Sequence, residues 1–307
     1  GCDGGKSGSF TSDEIKLDFP CNELILSWNA FAPAGSSLEA EFGVKRESAE
    51  WSGWFQLGEW TPDNIRPLFR RDPEYGELHI DHFKSSIHFG YVRYRIKLNV
   101  LRGARTPVLR TVFLSASDTT AASDEKDVYP TVVTDIAVPF ISQHDAAAVK
   151  NSGMISAGCC APTSVAMVLN YYGIPVSVET IGLRAYDHYD GIFGNWVYLA
   201  AAASEFGLEA SVRRFSSWRD VEKLLKDTIP VIISVSYGKG DLTPKPNRES
   251  RGHLIVVRGF TESGDVICND PDGGENVSGE GLVYDRDELG RAFFGHGGVG
   301  IVITGND

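Results

Sequence analysis

Two adjacent cysteines, Cys159 and Cys160, stand just before a segment with the marks of a helix, Pro162 to Tyr172. Pro sits in its first turn, apolar residues recur at Val165, Val168, Leu169 and Tyr172, and Gly173 and Pro175 end it. A thiol at a helix start meets unpaired backbone N–H groups and the positive end of the helix dipole, which favour the thiolate and so make a nucleophile. Buried packing is the commoner role for such a cysteine, so a basic partner has to discriminate. His253 offers one, in the run Gly252-His-Leu-Ile-Val-Val-Arg-Gly-Phe260. This strand turns through Thr261 to Gly264 and returns as Asp265-Val-Ile-Cys-Asn-Asp270. Counted outward from the turn, His253 and Asp270 come within about two residues of facing each other across the hairpin.

That pairing is the logic of a catalytic triad: a carboxylate fixes the imidazole tautomer and the imidazole takes the proton from sulfur. Asp270 is equally apt as the start of the Asn269-Asp-Pro-Asp-Gly273 turn. Attack on an amide carbonyl also needs donors for the developing oxyanion. The side-chain amide of Gln143, in Val138-Pro-Phe-Ile-Ser-Gln143, can join the Cys160 backbone N–H for this, with a solvated glutamine as the plain alternative.

The elements that must carry these residues change character along the chain. From about Phe19 to Ser115, short alternating runs separated by Gly, Pro, Asn and Asp read as an all-β domain. In the clearest, Tyr91 to Val100, residues Val92, Tyr94, Ile96, Leu98 and Val100 share one face. With runs at 24–28, 38–44, 54–60, 78–80 and 108–114 they predict a β-sandwich. The polar stretch between Ser115 and Thr134 buries no face and reads as a linker. Beyond it, helices at Trp196–Phe206 and at Trp218–Lys226, the latter capped by Ser216-Ser217, alternate with β-branched strands at 231–235, 254–257, 266–268 and 299–303. The expected class is α+β, with a flexible tether over 1–18, a β-sandwich over 19–116, a linker over 117–134 and the chemistry-bearing domain over 135–307.

A net charge of -12 with no basic run argues against a nucleic-acid partner, because phosphate binding draws on clustered Lys and Arg. No run of eighteen apolar residues occurs. Gly1-Cys2, followed by the small polar residues of 3–9, looks like the start of a mature bacterial lipoprotein, which would place the protein outside the cytoplasm on a lipid anchor at Cys2. Five unevenly spaced cysteines do not make a disulfide framework. His79, His82 and His88 lack the spacing of a metal site, and no metal or cofactor is expected. Trp51, Trp54 and Trp60 suit either a carbohydrate platform or, as favoured here, core packing.

Taken together, VPFISQ up to Gln143, CAPTSVAMVLNYYG from Cys160, GNW at Gly194–Trp196, PVIISV from Pro230, GHLIVVRGF from Gly252 and VICNDPDGG from Val266 resemble the C39-like cysteine peptidases of the stand-alone branch. The likeness spans most of residues 135–290, and the β-domain resembles those preceding such domains in secreted bacterial proteins. It implies a papain-like fold with Cys160 as nucleophile, His253 as base, Asp270 as its orienter and Gln143 in the oxyanion hole. Two departures stand out: Ala161 where the family usually has Gly, and the neighbouring Cys159. Cys160 is assigned because Pro-Thr-Ser follows it at the family's spacing. The expected activity is hydrolysis of a peptide or protein. Acyl transfer or cleavage of a cell-wall peptide amide uses the same groups, and a non-catalytic binding protein is the third reading.

Overall fold

The computed structural model describes residues 5–47, 49–61, 71–121, 133–145, 158–274 and 277–305. Cys2 and most of the expected linker lie outside them. Among the described residues, two antiparallel sheets and five helices make an α+β architecture.

The first sheet contains β1 (Lys6–Thr11), β2 (Ile15–Phe31), β3 (Ser36–Lys45), β4 (Phe55–Trp60), β5 (Arg71–Asp72), β6 (Gly76–His79), β7 (His82–Val100) and β8 (Val108–Ser117). Its order is β4-β3-β7-β2-β8, with β1 and β6 also on β7. Two separate sheets were expected, yet hydrogen bonding joins all eight strands in one network. The reason is strand length: β2 has 17 residues and β7 has 19, several times the usual strand. The second half of β7, Tyr91–Val100, pairs with β3, while its first half pairs with β6 and with Cys21–Leu24 of β2. Register shifts at Cys21 let β2 bend between these partners. Lys6–Thr11, expected within a tether, is β1 instead: its side chains are all on the exposed surface, but its backbone pairs residue for residue with Arg95–Val100.

Phe42, Phe55, Phe83 and Phe89 pack ring to ring as the centre of this unit, with centroids 4.5 to 5.9 Å apart. Of the five residues expected on one buried face of β7, Val92 and Ile96 are buried with them, whereas Tyr94, Leu98 and Val100 are only partly covered. On the other face, Arg93 lies between the rings of Trp51 and Trp54 at 4.3 and 4.5 Å, and Arg95 covers Trp54. Trp60 is fully buried. Both partly exposed tryptophans therefore have arginines on their ring faces. His79 and His82 face each other at 5.8 Å, and His88 bonds Asp118; among the described residues no group of three metal-type ligands gathers.

The second sheet runs β10 (Glu209–Arg214), β15 (Val299–Thr304), β11 (Val231–Tyr237), β12 (Ser250–Phe260), β13 (Val266–Asn269), β14 (Leu282–Tyr284), with β9 (Thr134–Asp135) on β12. The helices are α1 (Cys160–Tyr171), α2 (Val178–Ala185), α3 (Trp196–Ser204), α4 (Trp218–Lys226) and α5 (Arg286–Phe294). Helix α1 is buried from Cys160 through Leu169 and so lies within the core, not across its surface. It stops where Gly173 takes φ +75 and Ile174 N–H bonds back to the Leu169 carbonyl. Ser217 does not cap α4 through the backbone as expected; its hydroxyl donates to Asp220.

The two units are locked together along the outer edge of β10. A free sheet edge exposes unpaired N–H groups. Here Ala210, Val212 and Arg214 donate theirs to the side chains of Asn29, Ser27 and Ser115, and Asn29 donates back to the Ala210 carbonyl. Nearby, Arg184 stacks 3.8 Å from the Trp60 ring and pairs with Glu205, which also accepts from the Trp60 indole. Gly58, at φ +141, lets Tyr198 approach so closely that a Cβ there would lie 2.1 Å from the phenol oxygen. The N-terminal unit is thus keyed to α3 and β10, the layer behind the cysteine.

Candidate active site

Cys160 is the first residue of α1, and Cys159 is its N-cap without a side-chain cap bond. The helix tip is tied to β12 by the Ser164 hydroxyl, which donates to the Leu254 carbonyl at 3.0 Å. That bond brings Cys160 beside the residue preceding Leu254, His253. In the β12–β13 hairpin Val256 pairs with Asn269, so Asp270 falls opposite Ile255, two residues and one pleat from His253. Both side chains therefore share a face. Nε2 of His253 lies 2.7 Å from Oδ1 of Asp270, and the ring also hydrogen-bonds Cys160, for which Nδ1 is the nitrogen left. Cysteine, imidazole and carboxylate form one chain of hydrogen bonds inside the protein.

Electrostatics follow from the burial. His253 is 6% exposed and Asp270 1%. Burial pushes the Cys160 thiol up, but the His253 charge, its hydrogen bond and a bond from the Leu254 backbone outweigh that and leave the thiol below its ordinary range. Burial likewise opposes charge on His253; Asp270 and Cys160 reverse this and hold the imidazolium well above the usual range. Asp270 is desolvated too, yet His253 and Lys245 keep it deprotonated far below a normal carboxyl. Cys21 and Cys268 differ from Cys160. Burial, with Asp118 nearby, pushes Cys21 up to about 11, and burial pushes Cys268 well above the ordinary range.

Three partners escaped sequence reasoning. Lys245, with no exposed surface, places Nζ 2.7 Å from Oδ2 of Asp270 and 3.4 Å from Asp272. The Tyr284 hydroxyl donates to the same Oδ2 at 2.5 Å, and the Asp272 N–H donates to Oδ1 at 2.9 Å. Asp270 is therefore clamped by four donors. Lys245 sits in an irregular loop and Tyr284 in a three-residue strand, so neither carried a periodic signal. For Asp272 the signal that could have found it was a second carboxylate within the NDPDGG stretch.

Gln143 reaches the site by another route. Gly259 has no side chain where β9 crosses β12, and a Cβ there would meet the Thr134 carbonyl at 1.9 Å. The chain after β9 then runs past Asn269, whose amide donates to the Val138 carbonyl, until Gln143 N–H donates to Pro271. The Gln143 side chain donates Nε2 to Asp272 at 3.1 Å, and Oε1 is buried without a partner. Its hydrogen bonds do not reach Cys160 or His253. Asp272 also receives His144, Arg248 and Lys245, so it is a hub beside the clamped carboxylate.

A cleft of about 470 Å3 opens beside Cys160, walled by Tyr186, Ile192, Phe193, Trp196 and Leu254 and, from the N-terminal unit, by Ile80 to His82. No helix among the described residues is long and apolar enough to cross a membrane.

Residues 135–286 match the model of the Peptidase_C39-like family, and residues 5–117 match that of the peptidase C39 N-terminal domain. A crystal structure of a candidate C39-like peptidase from Bacillus anthracis shares 20% identity, covering 57% of this chain and 98% of that one with a TM-score of 0.41. No curated protein matches the sequence. A buried cysteine at a helix start, an imidazole beside it and two successive family models agree, and the chain belongs to the C39-like peptidase family.

Proposed function

We propose that the protein is a cysteine peptidase with a papain-like catalytic domain, using Cys160 as nucleophile, His253 as base and then acid, and Asp270 as the group that orients His253. The observation carrying this reading is the continuous Cys160–His253–Asp270 hydrogen-bond chain, with the thiol shifted down and the imidazole shifted up. Those opposite shifts favour a thiolate–imidazolium pair at neutral pH.

The steps follow from that pair. The Cys160 thiolate attacks the scissile carbonyl carbon, and the carbonyl electrons move to oxygen. Backbone N–H groups in the first turn of α1, unpaired within the helix, stabilise that oxyanion. Gln143 serves beside them through its second amide hydrogen, since the first is held by Asp272. The imidazolium gives its proton to the leaving amine as the C–N bond breaks, leaving a thioester on Cys160. Neutral His253 then removes a proton from water, which attacks the thioester, and the thiolate leaves. Asp270, fixed by Lys245, Tyr284 and the Asp272 N–H, stays ionised and keeps the ring in register.

The test pairs chemistry with substrate. Iodoacetamide labels residue 160 at pH values where an ordinary thiol is protonated, Cys160→Ala removes both label and cleavage, and Cys159→Ala keeps both. A peptide library run beside purified peptidoglycan separates proteolysis from cell-wall amide cleavage or acyl transfer. A Cys160 that alkylates no faster than free cysteine at pH 6 defeats the reading. Extracytoplasmic placement with a lipid on Cys2 is part of the same proposal, supported by that cysteine and the short polar run at 3–5 that precedes β1. Detergent partitioning of the parent against Cys2→Ala checks it.

A further inference from the structure

We propose that the tip of the β6–β7 hairpin, Ile80 to His82, is a specificity-determining wall of the cleft and selects a bulky apolar side chain next to the scissile bond of a peptide substrate. The proposal rests on the reading of Cys160 as nucleophile and names what that site takes.

The cleft that holds Cys160 is built by both units, and much of its lining is apolar or aromatic: Tyr186, Ile192, Phe193, Trp196 and Leu254 from the C-terminal unit and Ile80 from the N-terminal unit. At about 470 Å3 it falls among small-ligand pockets, which span about 300–1,000 Å3, and accommodates a large side chain with its adjoining backbone. The tip is held rigidly. Asp81 is 4% exposed, and its Oδ2 accepts the N–H of Trp196, the first residue of α3, at 2.5 Å. A carboxylate at a helix N-terminus satisfies an orphan donor and meets the positive dipole end. The His82 ring lies 5.6 Å from that of Trp196. The hairpin is thereby fastened to the helix that contributes Trp196 to the same lining.

Between these fixed points Ile80 adopts φ +56, a left-handed conformation that a β-branched residue rarely takes. Backbone strain of this kind concentrates at functional sites. Gly or Asn would relieve it. What isoleucine alone supplies is an apolar side chain, 37% exposed, facing the cleft. His296, on the same lining, is held below the ordinary imidazole range by burial first and by His82 and Lys84 after it, which disfavours a positive charge there and leaves Arg251 as the cation of the lining.

The experiment uses full-length Cys160→Ala protein and fluorescein-labelled hexapeptide sets in which each position is fixed in turn as Phe, Leu, Gly or Asp. Anisotropy titration is expected to show Phe or Leu binding about tenfold tighter than Gly or Asp at one position, the order expected when a hydrophobic pocket loses several carbons of contact. Ile80→Gly and Ile80→Asn, both compatible with the left-handed backbone, reduce that preference to within about threefold. Equal preference in parent and variants, or no preference in the parent, overturns the proposal. Cleavage by the unsubstituted protein is measured separately. Cleavage without side-chain preference rejects the wall and keeps the peptidase; selective binding without cleavage keeps the wall and rejects hydrolysis.

Discussion

Replacing Lys245 with Met asks whether a buried ammonium shares the charge of Asp270 with His253. Lys245 is fully buried, 2.7 Å from Asp270 and 3.4 Å from Asp272, and Met fills similar space without the charge. Breaking a buried pair costs about 3–5 kcal/mol. Asp270 keeps the His253 ring, the Tyr284 hydroxyl and the Asp272 N–H, which argues for the lower end, about 3 kcal/mol. At about 2–4 °C per kcal/mol for a domain of this size, the melting temperature falls by about 6–12 °C. The sharper readout is a sign. With the ammonium gone, the carboxylate acts on His253 alone, so the imidazolium loses its proton at higher pH than in the parent. Asp270→Asn does the opposite, because it removes the largest influence that raises His253. NMR of labelled histidine reads both without needing turnover. The linkage has a matching sign: a raised imidazole stabilises the fold fully below its unfolded range, near 6.5, and that stabilisation is lost as pH rises through the folded value. Lys245→Met therefore shifts this loss upward, and Asp270→Asn shifts it downward. A melting temperature within 2 °C of the parent, or His253 titrating lower in Lys245→Met, refutes the reasoning.

Other outcomes test the frame around the site. Asn29→Ala orphans the buried N–H and carbonyl of Ala210, each worth about 1–3 kcal/mol, so differential scanning calorimetry should register a loss of about 2–6 kcal/mol. Gly58→Ala drives a methyl group into the Tyr198 hydroxyl and destabilises by about 1–3 kcal/mol. Partial recovery in the Gly58→Ala/Tyr198→Phe double variant is expected, since the hydroxyl is the nearest atom. Cys21 and Cys268, pushed up by burial, stay unlabelled by iodoacetamide at pH 7 in the folded protein while Cys160 reacts; mass spectrometry of peptic fragments decides.

Sequence alone determined what depends on near neighbours. Helix α1 was legible from Pro162, its apolar spacing and Gly173, although it begins two residues earlier, at Cys160. The meeting of His253 with Asp270 was legible because a hairpin brings residues 17 apart in the chain together with only a register to fix. Long-range closure decided the rest. Lys245 and Tyr284 converge on Asp270 from a loop and a short strand whose local patterns say nothing about destination. The amide of Gln143 turns to Asp272, a carboxylate 129 residues away. Nothing in the alternation of β2 or β7 announced that each would serve two sets of partners, since pleat periodicity sets a strand's faces but not its edges. Nor did it announce that Ile80 would reach the cleft: that placement rests on Asp81 meeting the N-terminus of α3, a contact spanning 115 residues. Faces and turns are local properties of a chain, whereas edges, caps and buried charges find their partners only when distant segments compete for the same space.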